Sequence, residues 1–146
     1  MGARILVATD FSEDADRALA VAIRFGKLLQ GTVDVVHVYG LPMPTTLSVA
    51  GAVEAASPAN DDVLNAYRQL EARAETVRAA GVDCIASALG GDAALEIVTQ
   101  AQKLRANMLV MGRRGLSGLR RMVLGGVTER VLRTSAVPVL VIPPAT

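Results

Sequence analysis

Short apolar runs alternate along the chain with longer segments in which apolar residues recur at helical spacing. The short runs predict five strands, at residues 4–9, 32–39, 83–88, 107–111 and 137–142. The longer segments predict helices at residues 12–29 and at about 61–80, 93–104 and 127–134. Ser12 is the expected N-cap of the first helix, because a hydroxyl there can accept from a free backbone N–H.

This alternation of strand and helix predicts a single α/β domain over residues 1–146, an open parallel sheet with helices on both faces. The nearly continuous apolar run Ile5-Leu6-Val7-Ala8 agrees with it, because strands buried on both faces need not alternate. Such sheets bind ligands beyond the carboxyl ends of strands, where the strand order reverses. Thr9, Asp10 and residues 112–115 are therefore candidates for a binding site.

Residues 40–60 fit no regular element in this pattern. They contain Pro42, Pro44 and Pro58 and a single charged residue, Glu54. We expect a long connection after the second strand, serving as a lid or partner-binding loop or else disordered.

Composition limits the classes of function. Aromatic residues make up only 3% of the chain and the net charge is +1, so neither base stacking nor global charge recruits nucleic acid. Charge is uneven, however: residues 1–100 carry seven Lys or Arg and thirteen Asp or Glu, whereas residues 101–146 carry eight and one. The basic C-terminal part can form a functional surface or simply a solvated basic face.

No apolar run is long enough to span a membrane and no signal peptide is evident, so we expect a cytoplasmic protein.

Five glycines follow the fourth predicted strand, and two pairs of them stand out: Gly112 with Gly115, and Gly125 with Gly126. The first pair lets the backbone turn and approach a ligand closely, and the second pair opens a predicted helix. A helix N-terminus presents free N–H groups that favour phosphate. The spacing is neither a Walker A loop, since no GK[ST] follows, nor a Rossmann GxGxxG.

The segment Gly112-Arg113-Arg114-Gly115, nine residues, then Gly125-Gly126 resembles the ATP-binding branch of the universal stress protein family, with its G-x2-G-x9-G-[ST] pattern. Residues 5–12, 35–38 and 137–143 resemble the opening, the second strand and the closing strand of that family. The resemblance implies a Rossmann-like five-stranded sheet in the order 3-2-1-4-5 and a stress-response protein that binds ATP. It also implies a homodimer through strand 5, from Val137 to Ile142.

By this resemblance, the segment around Asp10 borders the adenosine, Val38 offers backbone groups to the base, and residues 111–112 line the pocket. Gly115 passes close to the phosphates, and residues 125–128 bind them. The candidate binding residues are Ala8, Thr9, Asp10, Val38, Met111, Gly112, Arg113, Gly115, Gly125, Gly126, Val127 and Thr128.

Two positions depart from the family pattern. Ala8 replaces the usual proline, and Gly126 stands where the pattern has Ser or Thr. A hydroxyl at residue 126 would face phosphate and form a capping box with Glu129. Thr128 still offers one hydroxyl nearby.

Other polar residues leave alternatives open. Asp10 suits ribose hydrogen bonding or magnesium contact, or simply the dipole of the first helix. His37 is best interpreted as a satisfied core histidine and Cys84 as a buried structural thiol in strand 3. Among the cations, Arg113, Arg114, Arg120 and Arg121 can steer phosphate or be solvated. No catalytic set is evident, so any hydrolysis of ATP should be weak. Two alternatives to an ATP-binding regulator stay open, a nucleotide-free interaction scaffold and a slow ATP-hydrolysing enzyme.

Overall fold

The computed structural model describes residues 2–40, 49–114 and 124–145, with the backbone alone for 49–60. Strands and helices alternate along the chain as the sequence pattern predicts. The strands are β1 (Arg4–Ala8), β2 (Thr32–Tyr39), β3 (Ala86–Gly90), β4 (Met108–Gly112) and β5 (Val139–Ile142). The helices are α1 (Glu13–Leu28), α2 (Val49–Ala79), α3 (Ala93–Lys103) and α4 (Gly126–Thr134).

The strands form one parallel five-stranded sheet in the order β3-β2-β1-β4-β5, which confirms the predicted fold and order. Alternate residues of β1 point to opposite faces. Ile5 and Val7 pack with α1 and α2, whereas Leu6 and Ala8 pack with α3 and α4. Burying one such aliphatic side chain stabilises the fold by about 1.5–3 kcal/mol. Because helices cover both faces of the sheet, every residue in the apolar run of β1 can be buried.

Helix α1 begins where its cap was predicted. Ser12 Oγ accepts a hydrogen bond from the backbone N–H of Ala15 at 3.2 Å. The first turn carries Glu13, Asp14 and Asp16, whose charges are favourable beside the free N–H groups at a helix N-terminus. The cap fixes the direction in which the chain leaves β1.

The expectation of an irregular connection over residues 40–60 is wrong for part of that range, because α2 already begins at Val49. Proline and missing periodicity argued for a loop, but the segment is rich in alanine, which has the highest helix propensity. Residues 41–48 lie outside the described part of the chain.

Strand β3 begins three residues later than predicted, at Ala86, so Cys84 precedes it. The preceding segment already runs beside β2, because Val33 N–H donates to Asp83 O at 3.0 Å and buried Asp34 accepts from Ile85 N–H at 3.0 Å. Cys84 is half-buried, not fully buried, and desolvation raises the pKa of its thiol to about 11. The thiol is therefore almost entirely protonated at neutral pH.

Other boundaries differ slightly from prediction, among them the starts of β5 and α4. β5 begins at Val139, so Pro138 lies before the strand and its carbonyl accepts from Leu109 N–H at 2.9 Å. α4 begins at Gly126, one residue earlier than predicted. Within the described ranges, no helix has the length and apolar content needed to cross a membrane.

Candidate functional site

A cavity of about 260 Å³ lies beyond the carboxyl ends of β1 and β4, on the sheet face covered by α3 and α4. These two strands flank the point where the strand order reverses, because β1 continues to β2 on one side and β4 to β5 on the other. Its described lining residues are Ala8, Thr9, Asp10, Ala15, Val36, Val38, Ala93, Ile97, Met111, Gly112, Arg114, Gly125, Gly126, Val127 and Thr128.

Most of the candidate residues from the sequence meet in this cavity. Those that line it are Ala8, Thr9, Asp10, Val38, Met111, Gly112, Gly125, Gly126, Val127 and Thr128. Arg113 is not among the lining residues, whereas the adjacent Arg114 is. Gly115, Arg120 and Arg121 lie outside the described residues.

Apolar side chains from the elements around the site complete the cavity and were not predicted. They are Ala15, Val36, Ala93 and Ile97. Apolar residues at strand or helix spacing indicate the core equally well, so the sequence contains no signal that separates these from their buried neighbours.

The N-terminus of α4 opens into the cavity. Gly125 is its N-cap, with extended backbone (φ −59°, ψ 149°) and no side-chain capping bond. Gly125 N–H donates to Arg113 O at 2.8 Å, and Glu129 N–H donates to Gly125 O at 2.9 Å. Between them, the N–H groups of Gly126, Val127 and Thr128 lack intrahelical partners by the geometry of a first turn. These three donors favour an anion.

This arrangement corrects two expectations about the glycine segment. The N-cap is Gly125, so a serine at residue 126 would occupy the first helical position and could not form the capping box with Glu129. Thr128, a residue that is only 4% exposed, donates its hydroxyl proton to Gly112 O at 2.9 Å. It therefore ties α4 to the end of β4, and its proton is not available to a phosphate.

The Thr9-Asp10 turn after β1 is held by its own side chains. Phe11 N–H donates to Thr9 Oγ1 and Ser12 N–H donates to Asp10 Oδ1, each at 3.0 Å. Phe11 has a positive φ of 66°, an uncommon conformation for a large side chain. Asp10 thus serves the turn before α1 and also lines the cavity, so both of its predicted roles stay open.

His37 supports this turn from the opposite sheet face. Its Nδ1 donates to Thr9 O at 2.8 Å, and its ring stacks on Phe11 with 4.2 Å between centroids. The Arg73 guanidinium carbon lies 5.0 Å from the centre of the Phe11 ring. The interpretation of His37 as a satisfied histidine is confirmed, although its burial is only intermediate. Among described residues, no group of His, Cys, Asp and Glu could hold a metal ion.

An ion pair joins the two helices that flank the cavity. Arg130 of α4 donates to both carboxylate oxygens of Asp92, at 2.9 and 2.7 Å. Asp92 is also the N-cap of α3 and accepts from Leu95 N–H at 3.0 Å. The hydrogen bonds from Arg130, followed by that from Leu95, lower the pKa of Asp92. The pair therefore links α4 to the N-terminus of α3 on the protein surface.

Comparisons with known proteins agree with this architecture. The family model of the universal stress protein family matches residues 1–143. The chain belongs to the universal stress protein family. One curated relative, universal stress protein YxiE of Bacillus subtilis, is 31% identical over 144 residues, which cover 95% of this chain and 97% of the relative.

Solved structures, including one of a universal stress protein, share the fold. The structure of hypothetical protein MJ0577 superposes with a TM-score of 0.85 at 28% identity, covering 100% of this chain and 99% of the other. A universal stress protein from Archaeoglobus fulgidus, solved in complex with dAMP, has a TM-score of 0.72 at 23% identity, with 96% and 97% covered. This likeness extends over nearly the whole of both chains.

Proposed function

We propose that this universal stress protein binds an adenine nucleotide, including ATP, in the cavity beyond β1 and β4 and acts in the cytoplasm as a nucleotide-dependent regulator of a stress response. The observation that carries the proposal is the first turn of α4. Its free N–H groups open into a cavity whose other walls are largely apolar. A ligand in which an anionic group is joined to a ring fits such a cavity, because the anion can face the N–H groups and the ring can pack on the apolar walls.

Each part of the nucleotide has a matching region. The apolar wall of Val36, Val38 and Ile97 suits the base, and Asp10 suits the ribose hydroxyls. The first turn of α4 suits phosphate. Magnesium would enter with the phosphates, because within the described residues the protein offers no cluster able to hold a metal by itself.

A family member with an adenine nucleotide supports this choice of ligand. The Archaeoglobus fulgidus protein was solved with dAMP, although at 23% identity the likeness to it concerns the fold alone. The cavity of this chain is the independent support, since it lies at the reversal of strand order, where parallel sheets bind ligands.

A nucleotide-free scaffold is the second candidate. It is favoured by the missing hydroxyl at Gly126 and by Thr128, whose hydroxyl proton is used within the fold. Both features remove side-chain donors from the phosphate end, so binding there depends on backbone N–H groups and nearby cations.

The protein also has an edge suited to self-association. Among the described residues β5 pairs only with β4, and its four residues are all half-buried and apolar. An uncharged edge strand favours pairing with another chain, and a two-fold axis lets the same strand pair with its copy. A homodimer through β5 is therefore the assembly that goes with the proposed function.

Filling the cavity tests the proposal. Ala93→Trp adds a large side chain to the lining at the start of α3, whereas Leu95→Trp changes a side chain on the same helix that is 60% exposed and outside the cavity. Isothermal titration with ATP and AMP should show binding to the wild type and to Leu95→Trp, and none to Ala93→Trp. A wild type that binds neither nucleotide would favour the scaffold, and equal binding by both variants would place the ligand elsewhere.

A further inference from the structure

Asp14 lies between two arginines at the edge of the cavity. Its Oδ2 accepts from Arg114 Nε at 3.2 Å, and its Oδ1 accepts from Arg17 Nη2 at 3.3 Å. The Asp14 side chain is 12% exposed and that of Arg114 26% exposed. Partial burial strengthens the pair, because solvent and salt screen it less than a pair on the surface.

The backbone fixes the position of this carboxylate. Asp14 lies in the first turn of α1, and that turn packs against the end of β4. A Cβ atom at Gly112 would lie 3.0 Å from the carbonyl carbon of Asp14, so the two segments are in close contact. Arg114 follows Gly112 by two residues. The Asp14 carboxylate therefore lies at the same edge of the sheet as the cavity.

Charge at the cavity is low for a site that would take phosphates. Among the described lining residues, Arg114 is the cation and Asp10 the anion. Asp14 offsets much of the Arg114 charge by direct contact. A phosphate at the first turn of α4 would consequently meet backbone dipoles and a cation that is already paired.

We infer that Asp14 is a specificity-determining residue. Its negative charge lowers the affinity for a nucleotide more strongly as the charge on the phosphates increases, and so reduces the preference for nucleoside triphosphate over monophosphate. The inference rests on the proposed function, because it needs phosphate at α4. For a phosphate charge about 8 Å from the carboxylate, Coulomb's law with screening at about 0.1 M salt gives roughly a 1.5-fold change in affinity per unit charge. Removing the Asp14 charge should then tighten AMP about twofold and ATP about fivefold, and leave adenosine unchanged.

The test is isothermal titration of adenosine, AMP and ATP, without divalent cations, into wild type and Asp14→Asn. Asp14→Glu keeps the charge and should retain the wild-type ratio of ATP to AMP affinity. Asp16→Asn is the matched control, because Asp16 lies on the same helix but pairs with Arg73 on α2, at 3.0 Å. Raising the salt to about 0.5 M should shrink the gain in Asp14→Asn.

The outcomes separate this inference from the proposed function. A ratio of ATP to AMP affinity that rises in Asp14→Asn alone supports it. Equal changes for all three ligands, or a lower ratio, overturn it and make Asp14 a residue that only positions Arg114. A wild type that binds none of the three ligands overturns the proposed function itself, and the inference with it.

Discussion

Gly112 and Gly126 belong to the same glycine pattern, but the space around their Cα atoms differs. A Cβ at residue 112 would meet backbone and side-chain atoms of Asp14 at 3.0–3.1 Å, whereas a Cβ at residue 126 meets nothing within 4 Å. Neither residue is among those with positive φ. Close approach therefore requires glycine at residue 112, and no steric reason requires it at residue 126.

Stability should separate these two positions. Gly112→Ala forces α1 and β4 apart by a few tenths of an ångström and should lower the free energy of unfolding by about 1–3 kcal/mol. Gly126→Ala should raise it by up to about 1 kcal/mol, because the new residue restricts the unfolded chain without strain. Urea denaturation followed by circular dichroism measures both. A Gly112→Ala variant as stable as the wild type would show that the contact yields at no cost.

Gly126→Ser tests the departure from the family pattern through nucleotide affinity. The open space at residue 126 accepts the side chain, and a hydroxyl bonded to phosphate contributes about 1 kcal/mol, or roughly a fivefold tighter dissociation constant for ATP. Any gain in thermal stability must come from replacing glycine, since the N-cap is Gly125. Isothermal titration beside Gly126→Ala isolates the hydroxyl. Serine binding no tighter than alanine would exclude a phosphate at that position.

At the scale of elements, the Asp92–Arg130 pair between α3 and α4 should make stability depend on pH. Arg130 and Leu95 lower the pKa of Asp92 from its ordinary value of 3.8, so the stabilisation is complete above that value and is lost as the pH falls through the lowered pKa. Arg130→Met should therefore lower the melting temperature slightly at pH 7. In acid, the melting temperatures of the wild type and the variant should become equal.

Removing the carboxylate provides the control for this pair. Asp92→Asn keeps an oxygen that can accept from Leu95 N–H, but it carries no charge for Arg130. Adding Arg130→Met to Asp92→Asn should therefore change the melting temperature little at any pH. A deficit in Arg130→Met that persists unchanged in acid would mean that Arg130 acts through packing alone.

The sequence could predict elements whose signals are local. The apolar run of β1, the Ser12 cap and the glycines around α4 each act within a few residues, and each lies close to its predicted position. The start of α2 was missed because alanine propensity competes with proline in the same segment. Long-range contacts such as Asp14–Arg114 and Asp92–Arg130 cannot be predicted from the spacing of residues along the chain, because their partners are 100 and 38 positions apart.

For the whole molecule, the proposed homodimer uses the edge of β5 that pairs with no other strand of the described residues. Val141 lies in that strand beside Met111 of β4 and is half-buried. Val141→Lys would bring like charges together near a two-fold axis and desolvate them, so it should shift a dimer toward monomer. Sedimentation velocity should give twice the chain mass of 15.2 kDa for the wild type and a lower average mass for the variant. A wild type that remains monomeric at high concentration would rule out the β5 dimer.

The central claim is that an adenine nucleotide binds at the first turn of α4, beyond β1 and β4. An NMR titration of the ¹⁵N-labelled protein with ATP locates the ligand residue by residue. We expect saturable shifts of the backbone amides of Gly126 and Val127, together with those of Thr9 and Asp10. The absence of saturable shifts at millimolar ATP, or shifts confined to the opposite end of the sheet around Cys84, would contradict it.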